Sequence, residues 1–312
     1  MTTQQFLLSA WDWNPIVIGI SLLALITYGA LVGFKLNSRS GFFVAAVALF
    51  FLTLASPVNE LADGYLFSAH MLQHLLLLLV IPPLLLLSLP MFADAKGRSG
   101  NPVRWWQRIK FHPFLAWLGG LSAMWVWHER TLCNAATTVE PVRVIQIISL
   151  LVLGTVFWWP IVGPQMQRRL PPLLGVVYLF SACVGCTILG ILITFAPVGV
   201  VCPVYMHPVD RLGILPLIHN NWGFTPGMDQ QFGGLMMWVP ACGIYISGVI
   251  TLLARWYRGS DGSLPEAAPV MREPAVTLHE PQGRARHSVR AAAWNEKDGA
   301  QGTDAPYLPK NA

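Results

Sequence analysis

A chain of 312 residues with 54% apolar and only 11% charged residues, a formal charge of +5 and a mean hydropathy of +0.53 lacks the polar surface of an ordinary soluble domain. Several apolar stretches reach the roughly 20 residues that a helix needs to cross hydrocarbon, so the chain reads as a polytopic membrane protein. The modest positive balance suits short loops beside anionic lipid, and no nucleic-acid partner is expected.

Residues 1–14 have no basic flank, and Trp11, Asp12 and Trp13 stand where such a flank would be, so a cleaved signal peptide is not expected. Seven spans follow, at about residues 16–34, 41–55, 65–89, 114–128, 142–162, 172–196 and 232–256. Runs such as residues 75–80 lack the alternation of barrel strands. Helices are then the way to satisfy backbone polar groups in lipid. The expectation is an all-α bundle of about seven transmembrane helices over residues 1–257. It is followed by a tail, 258–312, whose Gly, Pro, Ala and mixed charges predict disorder in the cytoplasm.

Lysine and arginine in the short loops set orientation. Lys35 and Arg39 follow the first span; Lys96, Arg98, Arg104, Arg108 and Lys110 the third; Arg168 and Arg169 the fifth; Arg255 and Arg258 the seventh. The alternate loops are poor in positive charge, which places the N-terminus outside and the C-terminus in the cytoplasm. His70 and His74, with Met71 between them, then lie at the outer end of the third span. His128 ends the fourth on the same side, and His207 and His219 sit in the long outer loop before the seventh.

A histidine facing lipid is costly, roughly a few kcal/mol at mid-bilayer, so such groups usually face the bundle interior or a water-filled site. Positions i and i+4 share a helix face, which makes His70 and His74 a candidate ligand pair. Imidazole together with sulfur suits copper, above all Cu(I). The opposing account is that amphipathic rings collect at membrane interfaces and methionine fills gaps between helices.

The outer loop, residues 197–231, is long for a connection, and its Trp222, Phe224, Pro226 and Met228 predict a packed cap over the bundle. Asp229 either caps the seventh helix or orients a ligand histidine. Cys183, Cys186 and Cys242 fall within spans, where cysteine usually behaves as a small apolar residue. Cys133 and Cys202 both fall outside, where a disulfide is permitted although pairing is not readable. Pro82, Pro83 and Pro240 predict kinks.

The run Ser68, Ala69, His70, Met71, Leu72, Gln73, His74, Leu75, Leu76, with the apolar stretch that ends in Leu89 and Pro90, resembles the hallmark of the CtaG-type cytochrome c oxidase assembly factors, associated with the caa3-type oxidase. Trp158, Trp159 and Pro160, and then Asp229, Gln230, Gln231, Gly233, Gly234, Met237, Trp238 and Pro240, resemble later blocks of that family. The resemblance covers roughly residues 10–257. It implies a multi-pass protein of the bacterial plasma membrane, not an enzyme, that helps copper reach the oxidase. The implied partners are oxidase subunits or another copper chaperone. On that reading His70, Met71 and His74 hold Cu(I), His128, His207 or His219 completes the set, and Asp229 supports a ligand. The chain departs from the family in Trp127, His128, Glu129, Arg130, where a Trp-His-Leu-Pro-like run is expected.

Other readings are a metal-free oxidase assembly scaffold, a haem-binding redox protein that uses outer-end histidines as axial ligands, and a transporter. The near absence of charged residues inside the spans opposes the last. No Gly-rich phosphate loop, HExxH or Gly-x-Ser-x-Gly motif is present.

Overall fold

The computed structural model describes residues 2–32, 37–89 and 111–261, all of which fall within one compact unit, Met1–Leu264. The cationic residues expected at 96–110, Lys35, His279, His287 and the tail from residue 262 lie outside the described residues.

The chain is all-helical, with no strand among the described residues. In order the helices are α1 (Thr3–Ser9), α2 (Pro15–Val32), α3 (Ser38–Ala55), α4 (Pro57–Ala62), α5 (Phe67–Leu75), α6 (Ile81–Ser88), α7 (Pro113–Trp127), α8 (Arg130–Thr138), α9 (Glu140–Val162), α10 (Pro172–Phe195) and α11 (Pro226–Asp261). A π-helical turn, Leu76–Val80, joins α5 to α6, so that Phe67–Ser88 forms one span. Each of the seven expected segments coincides with a helix. Five, including α3, α9, α10 and α11, are long and apolar enough to cross a membrane, while Pro15–Leu31 and Pro113–Trp127 are apolar but shorter.

Large apolar side chains point outward along these helices: Ile16, Leu23 and Ile26 on α2, Val177 and Phe180 on α10, Ile250 on α11. In water so much exposed hydrocarbon would drive association, whereas in a bilayer it is the ordinary lipid contact. Packing between helices depends on small residues. A Cβ on Gly234 of α11 would stand 2.7 Å from the Thr194 nitrogen and 2.8 Å from the Gly190 carbonyl of α10. Gly120 of α7 likewise admits Phe157 of α9, and Gly233 of α11 admits Phe67 and Met71 of α5.

The expected disturbance at Pro82 and Pro83 takes the form of the π-helical turn just before them. Neither proline has an N–H, so the Leu78 carbonyl loses its donors at both i+4 and i+5. Gly154 of α9 lies against that carbonyl, which a Cβ would approach to 2.5 Å.

Over the end of the bundle that carries α1 and α4 lies a second, smaller apolar core of Phe6, Ala62, Tyr65, Leu66, Ile214, Leu217 and Ile218. The long loop expected to form a cap does so. Trp222 meets the Phe6 ring edge-on at 6.0 Å and donates to Thr3 Oγ1 at 2.9 Å. Tyr205 donates to the Ala62 carbonyl at 2.6 Å, and Tyr65 accepts from Leu212 N–H at 2.8 Å. Phe224 and Pro226 are partly buried, but Met228 is exposed.

A buried histidine and methionine cluster beneath the cap

The start of α5 turns His70, Met71 and His74 inward, where they are 4%, 0% and 1% exposed. The i,i+4 spacing sets the two imidazoles with ring centres 4.4 Å apart. His128 is the residue at which α7 ends. Its ring stands perpendicular to that of His74 at 5.1 Å, although two helices and the whole of the 89–113 connection separate them in the chain. Tyr205 of the cap covers His70 from above, ring centres 5.8 Å apart.

The hydrogen bonds of His128 fix its tautomer. Nδ1 lies 2.5 Å from the Met124 carbonyl, which accepts only, so Nδ1 carries the proton and Nε2 presents its lone pair. That lone pair faces Met71 Sδ at 3.0 Å. Two electron-rich donors therefore converge on one point. Around them His70 Nε2 and both nitrogens of His74 are buried without a hydrogen-bond partner. The amide of Gln146 on α9 lies alongside His74 but outside hydrogen-bonding geometry, and its Nε2 is unpartnered too. An unmatched buried polar atom costs about 1–3 kcal/mol, so several in one spot call for a ligand that would satisfy them. Among the described residues no three His, Cys, Asp or Glu side chains are already drawn into a metal-holding set. The group is a cluster of donors rather than a closed coordination shell.

Asp229 occupies neither of its expected places in quite the expected way. It sits in the first turn of α11, but its carboxylate accepts from Phe67 N–H at 2.6 Å, Ser68 N–H at 3.0 Å and Ser68 Oγ–H at 2.6 Å. It thus caps α5, the helix that carries the histidines, across the bundle. Leu66, the residue before that helix, supplies no side-chain cap.

His207 and His219 are not drawn in. Both are exposed, and His219 Nδ1 bonds to the Phe224 carbonyl at 2.8 Å; no hydrogen bond or ring contact joins either to the cluster among the described residues.

Three supports were not legible beforehand. Gln73, next to His74, donates to the Thr53 carbonyl at 2.9 Å and to Asn59 Oδ1 at 3.1 Å. Arg143 of α9 donates to the same Asn59 oxygen at 2.7 Å and pairs with Asp63 at 2.5 Å; Arg211 of the cap pairs with Asp63 at 3.0 Å. The buried Gln73 thereby ties α5 to α3 and α4 and, through Asn59 and Arg143, to α9. A polar Gln73 amid the apolar residues of the third span was the signal available. Cys133 and Cys202 form a disulfide, Cα–Cα 5.6 Å, which anchors α8 to the stretch that leads into Tyr205. Glu129 accepts from Thr131 and Leu132 N–H at 2.9 and 3.0 Å and so caps α8, and these bonds hold its carboxyl below the usual glutamate range.

Beside His128 a cavity of about 360 Å³ is lined by Leu189, Leu192, Ile193, Ala196 and Val201. Of the cluster, His128 forms part of its wall.

A family model described as "Cytochrome c oxidase caa3 assembly factor" matches residues 29–259. The chain is also similar to "Uncharacterized protein ML1998" of Mycobacterium leprae (strain TN), 24% identical over 276 residues, which is 80% of this chain and 40% of that protein. The chain thus spans about two fifths of the length of that curated relative. No solved structure matches.

Proposed function

Because the chain belongs to the cytochrome c oxidase caa3 assembly factor family, we propose that it takes part in oxidase assembly as a carrier of Cu(I), held at the outer face of the bacterial plasma membrane and passed to an oxidase subunit or another copper chaperone. The observation that carries this reading is the convergence of His128 Nε2 on Met71 Sδ, beside the unpartnered nitrogens of His70 and His74.

Imidazoles and a thioether with no carboxylate among them disfavour Ca²⁺ and Mg²⁺, and the thioether favours the soft Cu(I). Burial would shield Cu(I) from water, and the cavity beside His128 would admit an incoming ligand. Binding takes place through the imidazole lone pairs.

We further read all seven apolar helices as spans with the histidine end outside. Arg39 starts α3, while Arg168, Arg169, Arg255 and Arg258 follow or end α9 and α11, all at helix ends opposite to the cluster. At the cluster end the described cations are fewer, Arg130, Arg143 and Arg211, against five at the other end, which is the asymmetry that the positive-inside rule reads.

A haem with two histidine ligands needs imidazoles on opposite faces of a macrocycle, and rings 4.4 and 5.1 Å apart leave no space for one. The metal-free scaffold remains the competing reading. Copper content of detergent-solubilised protein loaded with Cu(I) separates the two. We expect one bound ion in the parent and none in the His70→Ala, His74→Ala double variant; a copper-free parent would overturn the carrier reading.

A further inference from the structure

Away from the cluster, α10 and α11 bring three more soft side chains together within the span. Cys183 and Cys186 lie one turn apart on α10, and Cys242 faces them from α11. The Cys183 and Cys242 sulfurs are 2.6 Å apart, inside non-bonded contact and within roughly 0.6 Å of a bond. Cys186 is engaged elsewhere, as its Sγ–H donates to the Met237 carbonyl at 3.0 Å. Thr187 Oγ1 stands 3.1 Å from Cys242 Sγ.

We propose that Cys183 and Cys242 are a redox-active dithiol that closes reversibly into a second disulfide, locking α10 to α11 within the membrane. Three features support it. The helices touch at backbone level through Gly190 and Gly234, about two turns away, and the two sulfurs already meet across the interface. The Thr187 hydroxyl lies within hydrogen-bonding distance of Cys242 Sγ and can orient that sulfur toward its partner. And the third thiol is held by Met237, which selects one pair out of three.

Cys183 is buried while Cys242 is partly exposed, among lipid-facing neighbours such as Val239 and Ile246. The oxidant must therefore dissolve in the bilayer and accept two electrons together with two protons, and the class we assign to it is the quinones. The two thiols lose two protons and two electrons, one S–S bond forms and two S–H bonds break. The quinone takes up both electrons and both protons and leaves as hydroquinone. Reduction by a membrane-permeant dithiol reverses the step.

The test treats the full chain in detergent, without air, with a short-chain benzoquinone substituted at every ring carbon so that thiols do not add to an open ring position, then alkylates free thiols and maps peptides without reduction. We expect one hydroquinone per protein and a linked peptide pair that carries Cys183 and Cys242, two hydrogen atoms lighter than the sum. The Cys186→Ser variant should keep both signals, and Cys242→Ser should lose both while its Cys133–Cys202 bridge persists and reports that it is folded. Free, alkylated Cys183 and Cys242 after quinone treatment, or a link through Cys186, would overturn the proposal.

Discussion

At the residue scale the cluster is a problem of unmet valence. Met71 is wholly buried, and leucine matches it closely in volume, so Met71→Leu should fold with a loss below about 1.5 kcal/mol. It removes the sulfur that faces His128, and Cu(I) affinity measured by competition with a chromophoric chelator should fall at least tenfold. Unchanged affinity would mean that the sulfur only fills space. Asp229 makes a different contribution. Its three hydrogen bonds hold the start of α5, and Asp229→Asn keeps the size but loses the charge and half of the acceptor capacity. A helix cap of this kind is worth about 1–2 kcal/mol, so the unfolding midpoint in detergent should drop by several degrees, with weaker copper retention as a secondary effect. The sequence alone held both residues in view, but placed Asp229 as a cap of its own helix or a support for a histidine. The trans arrangement depends on α11 lying beside α5, which no local pattern encodes.

At the scale of elements, glycine determines how near the helices come. Gly234 of α11 faces the Thr194 hydroxyl and, close behind it, backbone atoms of α10, so a methyl there has nowhere to go. Gly234→Ala should therefore destabilise by about 1–3 kcal/mol and should also slow quinone-driven closure of Cys183 with Cys242, whereas Gly243→Ala, which meets open space, should do neither. The helices themselves were legible from hydropathy, since each expected span has its counterpart. The small helices α1, α4 and α8 were not, because at six to nine residues they carry too little periodicity. The π-helical turn was foreshadowed only as a kink: two adjacent prolines say that hydrogen bonds are lost, not how the backbone rearranges around the loss.

At the scale of the whole molecule, the cap and the bundle are joined covalently as well as by packing. The Cys133–Cys202 bridge closes 69 residues, for which chain entropy alone gives about 4 kcal/mol, an upper figure for a chain whose unfolded state stays in the membrane. Cys133→Ser with Cys202→Ser should leave the spans helical by circular dichroism but speed amide exchange over residues 203–206. Equal exchange would mean that Tyr205 and its neighbours hold the cap unaided. Sequence placed these two cysteines on one side without pairing them, because a contact between residues so far apart is set by the tertiary fold. The histidines were separable in the same sense only afterwards: the sequence reading put five on one side, yet three lie under the cap and His207 and His219 on its surface. The trans cap has a consequence in time as well. Asp229 follows Phe67 by 162 residues, and the spans enter the membrane in order of synthesis. The helix that bears His70 and His74 is therefore inserted early with its first amides unclaimed, and the last span to arrive settles it. A ribosome still short of α11 holds a chain with all three buried histidines but without the carboxylate that settles the helix carrying two of them, so α5 takes its final place only when the last helix arrives.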